Sequence, residues 1–394
     1  MTELALFTDE VRTFIHDNLT PELKKAGELC AGIYADKPAA LEWHKILNHK
    51  GWAVPSWPLA WGGTDWSLEQ HAIFARELTL SMAPSISPNS TKMVGPVVIE
   101  FGSDEQKRHY LPRIRSGEDW WAQGYSEPGA GSDLAALSCA AVRDGEHYLI
   151  NGSKIWTTHA QWSNKIFCLV RTDTSGKPQE GITFLLFDLD LPGIKVNPLI
   201  SISGDHEFNQ VFFNDVRVPA TALLGKENHG WTVAKYLLQH ERGGRSAAGL
   251  KVRLEHLKAF ISETTSSKSS LLNDFAYCRE LNRLEIDMET FSSFENKIIS
   301  AVASGHPVGT ISSALKIRRA ELKQQLAQCV MTAVDYYGLI HQPEIRVFGS
   351  NAEPVGSAIA ATAAPQYLND RAATIYAGSN EVQRNIIAKS ILGL

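Results

Sequence analysis

Gln123-Gly124-Tyr125-Ser126-Glu127-Pro128-Gly129-Ala130-Gly131-Ser132-Asp133-Leu134-Ala135 lies a third of the way along this 394-residue chain, and Tyr376-Ala377-Gly378-Ser379-Asn380-Glu381-Val382-Gln383-Arg384-Asn385-Ile386-Ile387-Ala388 lies close to its end. In the first run, three glycines and a proline hold the backbone in turns that bare N–H groups and short hydroxyls toward a ligand. Such a loop suits a planar, hydrogen-bonding cofactor. It is not a Rossmann fingerprint, because no G-x-G-x-x-G stands between a strand and a helix.

Working outward from that loop, the chain changes texture twice. Upstream, Val11, Phe14, Ile15 and Leu19 follow helical spacing over 6–19 until Pro21 interrupts. Ser67-Leu68-Glu69-Gln70 and Ser103-Asp104-Glu105-Gln106 read as capping boxes, opening helices that carry Ile73, Phe74 and Leu78, then Tyr110, Leu111 and Ile114. A Trp/Pro/Gly loop spans 51–63. Downstream, 139–142 and 148–150 flank Asp144-Gly145 as a hairpin, and 166–170, 182–187 and 211–213 are further short β-rich runs.

After Pro219 and Gly225, helical spacing returns over 231–261 and 275–337, with a break near Gly305-His306-Pro307. Thr/Ser-rich 264–270 reads as a surface loop. The length suggests two or three domains, and the α–β–α order divides the chain into a helical domain over 1–120, a β domain over 121–225 and a second helical domain over 226–394.

The net charge of -5 is mild and dispersed, so no nucleic-acid footprint or basic membrane-binding face stands out. Cys30, Cys139, Cys168, Cys278 and Cys329 form no C-x-x-C pair and have no histidine at metal spacing, which fits a reducing compartment and no metal site. No stretch of about 18 apolar residues occurs, and Met1-Thr2-Glu3-Leu4-Ala5 does not begin like a signal peptide. The expected location is cytoplasmic, with no membrane partner.

The motif 125–133, Gly152-Ser153-Lys154-Ile155-Trp156-Thr157-Thr158, Phe213-Asn214-Asp215-Val216-Arg217-Val218-Pro219 and the C-terminal run together resemble the acyl-CoA dehydrogenase family. The resemblance spans nearly the whole chain. It implies an α+β fold with an N-terminal α-helical domain, a middle β-sandwich or barrel domain and a C-terminal helical bundle, and it implies FAD. The reaction implied is loss of an α-proton from an acyl-CoA with transfer of the β-hydride to the flavin, leaving a trans-2-enoyl-CoA.

Carried over residue by residue, the resemblance puts the hydroxyl of Ser126 on the flavin ring and Ser132 near both the flavin and the CoA pyrophosphate. Trp156 and Thr158 flank the isoalloxazine, and Ser379 and Glu381 stand near the adenine. The commonest family pattern carries its glutamate base at the position of Ala377, where alanine cannot take a proton. Some members place the base on the first long helix of the C-terminal domain, just before an arginine, and here Glu241-Arg242 fills that place. Glu241 is therefore the expected base, Arg242 a brace for the substrate, and the Ala377 N–H a donor to the thioester carbonyl.

Two family stretches that grip the adenosine diphosphate, Arg-x-x-Phe-Gly and Gln-x-x-Gly-Gly, are not recognisable; Tyr336-Tyr337-Gly338 echoes the second with one glycine fewer. The pattern Gly230-Trp231-x-x-Ala234 followed by Leu238-x-x-Glu241-Arg242 resembles a bacterial subgroup that includes subunits acting on steroid side chains, some of them pairs of unlike chains sharing FAD. Three readings stay open. They are an acyl-CoA dehydrogenase passing electrons to an electron-transferring flavoprotein, a subunit of a heteromeric dehydrogenase that binds little FAD alone, and a flavin oxidase or monooxygenase. The assembly expected is a homotetramer or an α2β2 heterotetramer.

Overall fold

A computed structural model describes residues 2–242, 247–263, 271–304 and 311–394, and the side chains of 239–242 and 302–303 lie outside that description. Helices α1 (Glu3–Asn18) and α2 (Pro21–Glu28) each start on a threonine whose hydroxyl accepts a first-turn N–H. They are followed by α3 (Lys37–Lys50), α4 (Leu68–Leu80), α5 (Gly95–Phe101) and α6 (Asp104–Ser116). Both expected capping boxes form, on α4 and α6, with each serine and its glutamine exchanging hydrogen bonds. Phe7, Trp43, Trp52 and Phe74 fill the core of these helices, and Trp66 packs edge-on against Phe7, Trp52 and Phe74.

The chain then enters one curled, mixed seven-stranded sheet built from β1 (Trp121–Gly124), β2 (Ala140–Asp144), β3 (His147–Lys154), β4 (Lys165–Arg171), β5 (Ile182–Asp188), β6 (Ile194–Ile200) and β7 (His206–Pro219). The path runs β1-β4-β2-β3-β7-β6, with β5 also paired to β4. The hairpin expected around Asp144-Gly145 joins β2 to β3, and Gly145 takes the left-handed conformation its turn requires. The sequence reading missed two strands. β1 is only four residues long, and β6 is a half-exposed strand at the sheet edge carrying Pro198, the residue that weakens a strand pattern.

Strands β4 and β5 are buried on both faces. Phe167, Leu169, Phe184 and Leu186 point into a core shared with Val97, Val98, Leu111 and Ile114 of α5 and α6, whereas Ile166, Cys168, Leu185 and Phe187 point into the core inside the sheet. Period-2 alternation thus serves two cores at once, which is why these strands read as continuous apolar runs.

Among the described residues the helices that follow are α7 (Gly230–Arg242), α8 (Ala247–Glu263), α9 (Phe275–Ala303), α10 (Ile311–Val334), α11 (Ala358–Asp370) and α12 (Asn380–Ile387). The helix expected over 231–261 is thus described as two pieces, α7 and α8. The expected break near 305–307 and the expected loop at 264–270 lie outside the described residues. At the start of α7 the backbone approaches β5 so closely that a Cβ on Gly230 would lie 2.6 Å from the Thr183 carbonyl carbon. From there Val233, Ala234 and Leu237 carry α7 along the core of the sheet and the first helices.

Candidate active site

The loop after β1 is held from below by a buried ion pair. Glu127 is 6% exposed and Lys154, at the end of β3, is 0% exposed; their charged atoms are 2.7 Å apart. Glu127 also accepts the backbone N–H groups of Ser138 (2.7 Å) and Cys139 (2.9 Å), and Lys154 Nζ donates to the Tyr125 carbonyl at 3.1 Å. Burial works against the Glu127 charge, but Lys154 and these N–H groups outweigh it, so the carboxyl titrates below its ordinary range. One pair of side chains therefore staples both ends of the turn. Above it, Pro128, Gly129 and 131–133 lie exposed, with open space around Gly129 and Gly131.

A second loop, 155–159, stands beside the first, because the Ile155 N–H donates to the Ser126 carbonyl at 2.9 Å. Trp156 and His159 both adopt positive φ of 59°, a conformation non-glycine residues rarely take and which tends to collect at functional sites. What holds it is β7. Thr157 N–H donates to the Asn209 carbonyl, His159 N–H to that of Glu207, and the Asn209 amide returns a bond to the Thr157 carbonyl at 3.1 Å. As a result Trp156 is lifted to 60% exposure.

The third element is the turn before α12. Ala377 takes φ 54° and Gly378 φ 81°. Gln383, fully buried, donates through its amide nitrogen to the carbonyls of Ala377 (3.4 Å) and Gly378 (3.3 Å). Just upstream, Arg371 and Gln324 donate to each other's backbone carbonyls, and buried Asp370 is paired with Lys323 at 2.6 Å and Arg253 at 3.2 Å. This end of the bundle is tied to the sheet through Asn369, whose amide donates to the Glu207 carboxylate at 2.8 Å. Burial leads in raising the carboxyl of Glu207 above its ordinary range.

Ser126, Trp156 and Thr158 are brought onto two adjoining loops, and Ser132 is exposed on the first. Ser379 uses its hydroxyl to cap α12, accepting from Val382 N–H at 3.3 Å, and Glu381 is exposed, 3.6 Å from Arg384. No hydrogen bond among the described residues links the Ala377 turn directly to the two sheet loops; the connection runs through Glu207 and Asn369. Glu241 and Arg242 close α7, but their side chains lie outside the described residues. Sequence reading missed Glu127, Lys154, Asn209 and Gln383. A signal existed for Lys154, since period 2 puts it on the same buried face as Tyr148 and Ile150, where a lysine requires a partner.

The two sheet loops fit a planar hydrogen-bonding ligand. The hydroxyls of Ser126, Ser132 and Thr158 make no hydrogen bond among the described residues, and the fully buried Thr157 hydroxyl is likewise unpartnered. A buried hydroxyl left without a partner costs about 1–3 kcal/mol unless a ligand supplies one. Beside these groups stands the bared Trp156 ring. No cluster of three or more His, Cys, Asp or Glu able to hold a metal occurs among the described residues, and none of the described helices is long and apolar enough to cross a membrane.

Behind the Trp156 loop lies a cavity of 330 Å³ with a mixed lining that includes Leu29, Asp36, His159, Glu207, Arg346 and Phe348. Burial first, and then the neighbouring His206, push the His159 imidazole down to about 4 from its ordinary 6.5. The folded protein therefore keeps His159 neutral where the unfolded chain would protonate it. Its contribution is intact above pH 6.5 and is lost as pH falls toward 4, up to about 3 kcal/mol in all. Unfolding free energy measured across this window should show that slope, and His159→Asn, which tolerates positive φ, should flatten it; an unchanged slope would remove His159 as its source.

With this geometry in view, profiles of the acyl-CoA dehydrogenase N-terminal, middle and C-terminal domains match residues 1–118, 122–216 and 228–392. The chain belongs to the acyl-CoA dehydrogenase family, whose cofactor is FAD. It is 33% identical to acyl-CoA dehydrogenase IpdE1 of Mycobacterium tuberculosis, over 100% of this chain and 98% of that protein. Among solved structures it is similar to the ChsE4–ChsE5 complex from Mycobacterium tuberculosis (TM-score 0.84, 28% identity, 100% of this chain and 98% of that one). It is also similar to the Tcur3481–Tcur3483 steroid ACAD (TM-score 0.84, 27% identity, 99% and 97%). It is an oxidoreductase of the acyl-CoA dehydrogenase class.

Proposed function

We propose that this chain dehydrogenates an acyl-CoA to the trans-2-enoyl-CoA, with Glu241 removing the α-proton. FAD, when bound, supplies the acceptor for the β-hydride. The observation that carries the reading is the pair of adjoining sheet loops, whose unpartnered hydroxyls and raised Trp156 suit a flavin ring. Ser126 and Thr158 would hold that ring's polar edge, Trp156 would flank it, and Ser132 would serve both the flavin and the CoA pyrophosphate. The Ala377 N–H would donate to the thioester oxygen, where negative charge develops as the proton leaves, and Arg242 would brace the substrate. Ser379 and Glu381 are the proposed contacts to the adenine end.

A thioester α-proton is far less acidic than a carboxylic acid, so the base must be strengthened and the developing oxyanion stabilised. Placement on α7 suits the first need, because that helix runs along an apolar core before reaching Glu241. Left-handed Ala377, clamped by Gln383, suits the second, because a donor fixed in advance need not reorganise during reaction. We further propose a steroid-derived acyl group, a cytoplasmic location and an electron-transferring flavoprotein as acceptor, on the similarity to the proteins above. The proposed domains span 1–120, 121–225 and 226–394.

One observation favours a heteromeric setting over a homotetramer. Tyr336, Tyr337, Leu339 and Val347 are 57% to 78% exposed, an apolar surface near the place of the incomplete diphosphate-gripping motif. A second, unlike chain that covers it and completes the FAD site fits the ChsE4–ChsE5 precedent. The deciding experiment is to count flavin per purified chain and then add acyl-CoA without oxygen. Bleaching of the flavin band supports the dehydrogenase. A colourless chain that gains flavin only with a second subunit selects the heteromer, and a flavin that acyl-CoA never bleaches sinks the reading.

A further inference from the structure

Glu207, on β7, is only 4% exposed, and no step of the proposed chemistry uses it. A carboxylate so buried is costly unless donors surround it, so its partners show what it holds. They come from three parts of the chain. The Ile33 N–H, in the loop between α2 and α3, donates to Oε1, and the neighbouring Tyr34 N–H further favours the charged form. That loop presses so close that a Cβ on Gly32 would lie 2.7 Å from Oε1. From α11 the Asn369 amide donates to Oε2 at 2.8 Å. The main chain of Glu207 adds a further link, because its carbonyl accepts the His159 N–H at 3.0 Å.

Neighbouring contacts close the junction. The Gln366 amide of α11 donates to the Cys30 carbonyl at 3.0 Å, and Asp205, just before β7, pairs at 2.7 Å with Arg346 of the turn Pro343–Arg346. Each of the three matched domains thus contributes a piece, namely the α2–α3 loop, β7 and α11. On one side the junction leads through His159 into the Trp156 loop. On the other, α11 runs into the turn Arg371–Thr374, whose Ala372 carbonyl accepts the Tyr376 N–H at 3.0 Å, and so reaches Ala377.

We infer that Glu207 is a positioning residue that fixes the spacing between the Trp156 loop and the Ala377 turn. In the dehydrogenase reading, on which this inference rests, the first element flanks the flavin and the second holds the thioester carbonyl. Hydride transfer depends steeply on that spacing, since a misplacement of about 1 Å can cost about 10²-fold in rate. Binding of either ligand depends on it far less, because each element carries its own contacts.

The test reverses the Glu207–Asn369 hydrogen bond in the flavin-loaded enzyme, with any second subunit it needs. Asn369→Asp sets two carboxylates against each other, and Asn369→Leu removes the donor without adding charge. Glu207→Gln/Asn369→Asp restores the bond with the glutamine amide donating, while the glutamine oxygen still accepts from Ile33. Flavin content, thermal midpoint, and kcat and KM for anaerobic bleaching by an acyl-CoA would be read for each protein. Both single variants should lower kcat per bound flavin about tenfold or more with KM within about threefold, and the double variant should recover kcat to within about threefold of the wild type. If Asn369→Asp does not fold, the double variant is compared with Asn369→Leu. An unchanged kcat per bound flavin, or a double variant no faster than the single ones, would overturn the positioning role even where the thermal midpoint falls, since a purely structural tie moves only the midpoint. A wild-type flavin that acyl-CoA never bleaches sinks the dehydrogenase reading and this inference with it; bleaching that the variants leave unchanged sinks the inference alone.

Discussion

Replacing Glu241 with glutamine is expected to slow reduction of the flavin by acyl-CoA about 10²- to 10⁴-fold, the usual contribution of a general base. Folding and flavin content should match the wild type, because glutamine keeps the size and helix propensity of glutamate on α7. Anaerobic stopped-flow at 450 nm, beside a thermal melt, measures both. Retention of the wild-type reduction rate would remove Glu241 from the mechanism. The double variant Glu241→Gln/Ala377→Glu gives a further check, since it moves a carboxylate to the position most of the family uses. Ala377 is already left-handed, so glutamate there adds little backbone strain, and a partial return of activity is expected.

Lys154→Met should be the most destabilising single change at the site, costing about 3–5 kcal/mol, because it strands the Glu127 charge in the protein interior. Adding Glu127→Gln removes that charge while keeping an acceptor for one of the two N–H groups, Ser138 or Cys139, that bond separate carboxylate oxygens, and should recover part of the loss. In Lys154→Met the deficit should also shrink as pH falls, since protonating Glu127 neutralises the stranded charge. Urea midpoints of the three proteins across pH would show this. A loss below about 1 kcal/mol in Lys154→Met would mean that the pair is not what holds the Ser126 loop.

Much of this arrangement was legible in the residues. The serine–glutamine capping boxes, the Asp144-Gly145 hairpin and the apolar runs of β4 and β5 depend on neighbours a few positions apart, so their chemistry is written locally. Strand β6 escaped because an edge strand with a proline has little pattern to read. Asn209 and Gln383 escaped for another reason, since an amide declares no role until the carbonyls it meets are known. Even the adenine-side reading of Ser379 meets a competing local use, the cap of α12.

By itself the sequence determined the α–β–α order, the family and the residue types a flavin and a thioester demand, because these follow from short-range periodicity and from motifs kept in order. Tertiary structure alone decided how the pieces become a site. It set Lys154 under Glu127, raised Trp156 on bonds from β7 and clamped Ala377 with Gln383. The physical reason is that a buried charge or a left-handed residue acquires its energy only from what folding brings beside it, and Lys154 with Glu127 and Trp156 with β7 join residues far apart in the chain.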